Sequence, residues 1–140
     1  MQYSALAETI RGITLVQEAD SLPTIYCDMD GVLCDFSQGI SNMFKLKSKN
    51  PSEPGPMQMA GYSDAQDWLS APNTEPKWKV VEGYPMFWPT LPWTKDGKKL
   101  WSYIEKYNPH ILSAYAPYDK NSRKGKLLWL QRNLRLSDQS

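Results

Sequence analysis

The chain has 140 residues, a length typical of a single domain, and carries 16 basic and 15 acidic residues. The formal charge of +1 argues neither for nor against nucleic acid as a partner. No apolar run is long enough to span a bilayer, and the first residues lack the basic and apolar segments of a secretory signal. The two cysteines, Cys27 and Cys34, indicate free thiols in a reducing cytoplasm rather than a disulfide framework.

The first part of the chain is expected to form a helical or linker segment, residues 1–23, without catalytic residues. Residues 2–18 favour a helix that Gly12 interrupts, and residues 13–16 could be extended instead. A short linker then leads into a predicted strand at residues 24–28, where apolar and β-prone side chains follow one another.

A compact insert is predicted in the middle of the chain. A helix with one apolar stripe is expected at residues 34–46. Eight of the eleven prolines and four of the six tryptophans then lie between residues 51 and 93. Short helices are predicted at residues 63–70 and 76–82. The high aromatic content argues against a disordered linker and favours short helices with rigid loops.

Three further elements are predicted after the insert. A helix is expected at residues 95–107 and a second strand at residues 110–114, separated by Asn108-Pro109, which stops the helix. A last helix is expected at residues 122–134. The predicted inward side chains are Leu100, Trp101, Ile104 and Tyr107 in the first of these helices, and Leu127, Leu130 and Leu134 in the last. The element order indicates an α/β fold with parallel strands.

Two aspartates follow the first predicted strand. Asp28 and Asp30 are spaced i, i+2, and Gly31 comes directly after them. Carboxylates at the C-terminal end of a buried strand lie where α/β proteins keep their chemistry. Burying a carboxylate is costly unless it is paired or binds a metal. The pattern therefore suggests a magnesium-dependent site for phosphoryl transfer.

The string Asp28-Met29-Asp30-Gly31-Val32-Leu33-Cys34-Asp35-Phe36 resembles the first motif of the haloacid dehalogenase-like (HAD) phosphohydrolases. It is most similar to the 5'(3')-deoxyribonucleotidases and their bacteriophage relatives. The resemblance implies an α/β fold built on a HAD-like Rossmannoid parallel sheet with a small helical cap of the C1 type. Residues 24–35 and 95–140 would form the core, and residues 36–94 would form the cap.

Two later residues join this site in the predicted topology. Parallel strands joined by crossovers end at the same edge of a sheet, so Ser113 is expected beside Asp28. A serine closing the second strand resembles the second motif of the family and would bind phosphate. A lysine three residues before a tryptophan resembles the third motif, which makes Lys126 the candidate cation for the phosphate. Its competitors are Lys120, Arg123 and Lys124.

The resemblance also implies the role of each residue. Asp28 would be the nucleophile that becomes an aspartyl-phosphate, and Asp30 would be the general acid and base. Mg²⁺ would bind the Asp28 carboxylate and the Asp30 main-chain carbonyl. Asp35, Phe36 and Trp88 are candidates for the substrate pocket, and Asp35 could instead cap a helix.

One family feature has no counterpart in the sequence. The fourth motif, one or two aspartates at the end of a further strand, completes the metal site in the family. Here the last helix leads to residues 136–140 without a further predicted strand, and Asp138 would lie at the opposite edge of the sheet. The resemblance thus implies a truncated sheet with an open edge, which a second copy or a complementing chain would cover.

The expected function is Mg²⁺-dependent hydrolysis of nucleoside or deoxynucleoside monophosphates in the cytoplasm, the host cytoplasm if a bacteriophage encodes the chain. The expected partner is a small nucleotide, with no membrane and, because no strong basic stripe occurs, no long nucleic acid. One alternative is a non-catalytic remnant that binds phosphate or nucleotide. The other is a phosphatase for a different small phosphate ester.

Overall fold

The structure, a computed structural model, describes residues 23–136. The helix predicted at residues 2–18 lies outside this range. The described part is mixed α/β, with a small parallel sheet and helices on the connections. In chain order its elements are β1 (Tyr26–Asp28), α1 (Phe36–Met43), α2 (Pro56–Met59), α3 (Ala65–Ser70), α4 (Glu75–Glu82), α5 (Gly97–Ile104), a 3₁₀ turn (Glu105–Tyr107), β2 (His110–Leu112) and α6 (Ser122–Leu134).

Within residues 23–136 the sheet consists of β1 and β2, which pair in parallel. The register places Asp28 opposite Leu112, and the Met29 N–H donates to the Leu112 carbonyl at 3.0 Å. Each strand has three residues, fewer than predicted. The ladder ends after Leu112, and the carbonyl of Ala114 accepts a hydrogen bond from Lys126 instead. The parallel arrangement was predicted, and it brings the two strand ends to one edge.

The helix after β1 starts later than predicted. Asp35 is its N-cap, and the Asp35 carboxylate accepts a hydrogen bond from the Gln38 N–H at 2.9 Å. Aspartate is a favoured N-cap because its side chain satisfies a backbone donor of the first turn. The capping alternative for Asp35 is therefore confirmed. The helix ends at Met43 rather than near residue 46.

The insert begins and ends at one narrow point, which we call the neck. There the Asp35 N–H donates to the Pro92 carbonyl at 2.8 Å, and the Thr94 N–H donates to the Leu33 carbonyl at 2.9 Å. The Thr94 hydroxyl also donates to the Val32 carbonyl at 2.6 Å. These bonds fasten both ends of the insert to the loop that follows β1.

The interior of the insert is aromatic. Five rings contact one another with centroids 5.0 to 6.2 Å apart; they form the aromatic cluster, Phe36, Trp68, Trp78, Phe87 and Trp88. The cluster belongs to the same hydrophobic core as β1, α5 and α6. The predicted core and cap are thus packed together as one body.

Helix α6 packs against this insert through a face that the leucine spacing predicted only in part. Leu134 is buried as expected, but Leu127 and Leu130 are only half-buried, and the other buried residues include Gly125, Lys126 and Trp129. An added Cβ at Gly125 would lie 2.4 Å from the Trp88 Cβ, so only glycine fits this crossing.

The inward face of α5 was predicted only in part. Trp101 and Ile104 are buried, but Leu100 is exposed and Tyr107 is half-buried. None of the helices within residues 23–136 is long and apolar enough to cross a membrane.

Candidate active site

The loop after β1 folds back on itself. The Met29 carbonyl accepts hydrogen bonds from the Leu33 N–H at 2.9 Å and the Cys34 N–H at 3.0 Å, and the Gly31 N–H donates to the Cys34 carbonyl at 2.8 Å. Gly31 has a φ of +81°, a conformation that side-chain-bearing residues rarely adopt. The turn glycine of the motif is therefore required by the backbone. The tight loop carries Asp30 at its tip.

Three side chains from distant parts of the chain meet at this tip. The Lys126 ammonium lies 2.9 Å from Asp30 Oδ2 and 2.8 Å from Ser113 Oγ, and it also donates to the Ala114 carbonyl. The Ser113 hydroxyl donates to Asp30 Oδ2 at 3.2 Å. Asp30 follows β1, Ser113 follows β2 and Lys126 lies on α6. We call these residues the Asp30–Ser113–Lys126 cluster.

The two charges of the cluster differ in burial. The Lys126 side chain is 5% exposed, whereas that of Asp30 is 36% exposed. The ammonium also lies 5.0 Å from the centroid of the Trp88 ring, within cation–π distance. A buried ammonium needs compensating acceptors. Because the carboxylate is the solvent-facing partner, an oxyanion arriving from solvent can take its place beside Lys126 and Ser113.

Cys34 contacts the same carboxylate from the other side. Its sulfur lies 3.5 Å from Asp30 Oδ1 and 3.6 Å from the Met29 carbonyl oxygen. Burial, together with the negative charge of Asp30, raises the pKa of the Cys34 thiol to about 12. Cys34 therefore stays protonated and can donate to Asp30, so both carboxylate oxygens are held. The sequence indicated only a small free thiol here, and nothing in its pattern signalled this contact.

Asp28 occupies the end of β1 and is exposed to solvent. Within residues 23–136 no hydrogen bond or ion pair engages its carboxylate, so the structure does not join it to the cluster. The main-chain carbonyl of Asp30, two residues further on, likewise accepts no hydrogen bond from another described residue.

These two oxygen donors suit a hard cation. Mg²⁺ commonly binds one or two carboxylates and keeps several waters, so the Asp28 carboxylate and the Asp30 carbonyl fit its requirements. No group of three or more His, Cys, Asp or Glu side chains in the described range could hold a metal by itself.

The three substrate-pocket candidates already have other contacts. The Asp35 carboxylate caps α1. Phe36 stacks on Trp88 with centroids 5.5 Å apart, and Trp88 is only 2% exposed. The Trp88 indole N–H donates to Asp119 Oδ2 at 2.8 Å. In this conformation Trp88 offers no open ring face to a ligand.

Of the four candidate cations, Lys126 is the one whose ammonium contacts Asp30 and Ser113. Lys120 and Lys124 are exposed, and Arg123 donates through Nε to the Tyr115 hydroxyl at 3.2 Å. The sequence resemblance and the geometry thus select the same lysine.

Asp119 is a buried carboxylate that sequence reasoning missed. Besides the Trp88 indole, it accepts the Asn121 N–H at 2.9 Å, an Asx-type turn just before α6. The Asp-Lys-Asn order before a helix could have indicated the turn. It could not have indicated the bond to Trp88, which lies 31 positions away. By accepting the hydrogen bond from Trp88, Asp119 helps to hold the indole ring that lies beside the Lys126 ammonium.

Comparison with known proteins gave no match. No family model matches the chain, and no curated protein and no solved structure shows significant similarity to it.

Proposed function

We propose that this protein is a HAD-like phosphohydrolase, with residues 36–94 as its cap, that hydrolyses nucleoside or deoxynucleoside monophosphates with the help of Mg²⁺. The observation that carries the proposal is the convergence of Asp30, Ser113 and Lys126 beside the strand that ends in Asp28. These four residues are the ones that the resemblance assigns to nucleophile, acid and phosphate site. The two free buried thiols suit a cytoplasmic location.

Substrate binding would use the two donors of the cluster. The phosphate would accept hydrogen bonds from the Lys126 ammonium and the Ser113 hydroxyl, which already lie 2.8 Å from each other. It would thereby replace the Asp30 carboxylate as the partner of Lys126. Lysine forms charge-assisted hydrogen bonds to phosphate as it does to carboxylate, so a phosphate can compete with Asp30 for Lys126. Asp30 is then available for proton transfer.

The reaction would proceed in two displacements at phosphorus. The Asp28 carboxylate attacks phosphorus, forming an aspartyl-phosphate as the bond to the nucleoside oxygen breaks. Protonated Asp30 gives its proton to that oxygen, which leaves as the nucleoside hydroxyl. Asp30 then takes a proton from water, whose oxygen attacks phosphorus and releases Asp28 and inorganic phosphate.

The Asp28 carboxylate and the Asp30 main-chain carbonyl would hold Mg²⁺, which when bound offsets the negative charge of the phosphate. Lys126 supplies a fixed positive charge on the protein side. Because Lys126 is buried, its charge is screened little by solvent and salt.

Phosphate release from purified protein tests the proposal, with a panel of nucleoside monophosphates and β-glycerophosphate, each with and without MgCl₂. We expect Mg²⁺-dependent release from the nucleotides and its loss in Asp28→Asn, because an amide is a poor nucleophile and metal ligand. Asp96→Asn, an exposed aspartate outside the site, is the matched control. Turnover retained in Asp28→Asn would refute the nucleophile assignment. Preferred release from β-glycerophosphate would instead support the phosphatase of a different ester.

A second candidate function is non-catalytic binding of phosphate or nucleotide. It is favoured by the absence, among residues 23–136, of three acidic or other metal-binding side chains in one group. If wild-type protein releases no phosphate but inorganic phosphate protects it against thermal unfolding, this candidate replaces the enzyme.

A further inference from the structure

A cavity of about 470 Å³, open to solvent, lies along the loop between β2 and α6, the loop that begins with Ser113. Its wall is the loop between β2 and α6, together with the start of α6 and two carboxylates of α4. The side chains that line it include Tyr115, Tyr118, Arg123, Glu75 and Glu82. Its volume lies within the range of small-molecule sites, roughly 300 to 1,000 Å³.

The cavity and the cluster share one stretch of chain. Tyr115 follows Ser113 by two residues, so their Cα atoms are at most about 7.6 Å apart, given ~3.8 Å per trans peptide. Between them lies Ala114, whose carbonyl accepts from Lys126. The Ala116 N–H donates to the buried Ser122 hydroxyl at 3.1 Å, which fastens the loop to α6. An ester bound through its phosphate at Ser113 and Lys126 would enter the cavity by extending along this loop toward Tyr115.

The cavity also exposes aromatic side chains, whereas Trp88 of the aromatic cluster is buried. Tyr115 is 54% exposed and Tyr118 is 42% exposed, whereas Trp88 is 2% exposed. The Arg123 guanidinium lies 5.8 Å from the centroid of Tyr115, and its Nε bonds to the Tyr115 hydroxyl. These contacts orient the Tyr115 ring at the cavity wall.

We propose that this cavity binds the nucleoside of the substrate, with the base stacked on Tyr115 or Tyr118. The inference rests on the proposed function and assigns the base to the loop after β2 instead of to Phe36 and Trp88. Base–aromatic stacking tolerates every base because each has a π-face. The Glu75 carboxylate lines the same cavity and can accept hydrogen bonds from sugar hydroxyls or amino groups, whereas the Glu82 oxygens already accept from the Lys79 ammonium and the Lys120 N–H.

Kinetics with two kinds of substrate test the assignment. The double variant Tyr115→Leu/Tyr118→Leu should lower kcat/KM for thymidine and adenosine monophosphates about tenfold or more, the fold-change expected for a lost base stack. Its kcat/KM for β-glycerophosphate, which has no base, should stay unchanged. Tyr115→Phe keeps the aromatic ring but loses the hydroxyl that Arg123 holds, so it should lower kcat/KM for the nucleotides much less than the double variant does. Tyr103→Leu, an exposed tyrosine outside the cavity, is the matched control. An equal loss for both substrate kinds, or no loss for the nucleotides, would overturn the assignment.

A binding measurement separates this inference from the proposed function. Thymidine and adenosine, which carry no phosphate, are titrated into ¹⁵N-labelled wild-type protein and followed by NMR. Shifts centred on the amides of residues 115–123 support the cavity even if the protein hydrolyses nothing. Shifts centred on the aromatic cluster, or no shifts at millimolar nucleoside, overturn it even if the protein hydrolyses nucleotides.

Discussion

The ion pair between Lys126 and Asp30 should be detectable as a coupling energy in the absence of any substrate. The perturbations are Lys126→Met, which keeps the apolar length of the side chain, and Asp30→Asn, which keeps the shape of the carboxylate. If the two side chains interact in solution, the double variant should be less destabilised than the sum of the two single variants.

The burial of the pair sets the expected magnitude. Lys126→Met deletes charge-assisted hydrogen bonds to Asp30 and Ser113, each worth about 1.5 to 3 kcal/mol, but it also removes the desolvation cost of a buried ammonium. Asp30 is 36% exposed, so its carboxylate regains water once Lys126 is gone. We expect Lys126→Met to lower the free energy of unfolding by about 1 to 2 kcal/mol and the coupling energy to be of similar size.

Urea unfolding followed by tryptophan fluorescence gives the four free energies of the cycle. The pair Lys79–Glu82, 3.3 Å apart on α4, provides a comparison cycle with Lys79→Met and Glu82→Gln, because the Lys79 side chain is 54% exposed and its charge is screened by solvent. Its coupling should be about 0.3 to 0.5 kcal/mol, as for other helix pairs that solvent screens. A coupling between Lys126 and Asp30 no larger than this control value would refute the ion pair that the structure shows between them.

Three further outcomes follow from single residues. Because the pKa of Cys34 is about 12 in the folded protein against an ordinary 9.0, the folded state keeps a proton that the unfolded chain loses above pH 9. The free energy of unfolding of wild type, measured in urea relative to that of Cys34→Ala, should therefore fall by about 1.4 kcal/mol between about pH 8 and pH 10. A difference that stays constant with pH would contradict the buried thiol. Gly125→Ala should destabilise by roughly 1 to 3 kcal/mol, since its Cβ would overlap Trp88, and a higher melting temperature would count against this crossing. Asp35→Ala should cost about 1 kcal/mol in thermal unfolding, and Asp35→Asn much less; equal losses would argue against the cap.

Local sequence patterns predicted well those elements whose structure depends on the local sequence. The last helix was expected at residues 122–134 and is observed as Ser122–Leu134. The parallel pairing of the two strands followed from the element order. The strands are shorter than expected because their ends are set by tertiary hydrogen bonds, such as the one from Lys126 to the Ala114 carbonyl, which no local pattern encodes.

The motif and the topology together anticipated most of the candidate site. Ser113 was expected beside Asp28, and the structure bonds it to Asp30 instead. Asp28 pairs with Leu112 in the sheet, and Ser113 comes one residue after Leu112. The part of the first segment that lies next to Ser113 is therefore the loop after β1, which carries Asp30. The contacts of Cys34 with Asp30 and of Trp88 with Asp119 depend on how the insert packs, and the sequence pattern contains no signal for them.

The neck shortens the chain segment that must be closed into a loop when the two strands pair. Tyr26 and His110 pair across 84 positions of chain, but the hydrogen bond between Asp35 and Pro92 already closes 57 of them. If the insert closes first, β1 and β2 need to join across only about 27 residues, which lowers the entropic cost of closure by roughly 1 kcal/mol. The insert would then act as an early-folding unit, and mutations that weaken the neck would slow folding more than they speed unfolding.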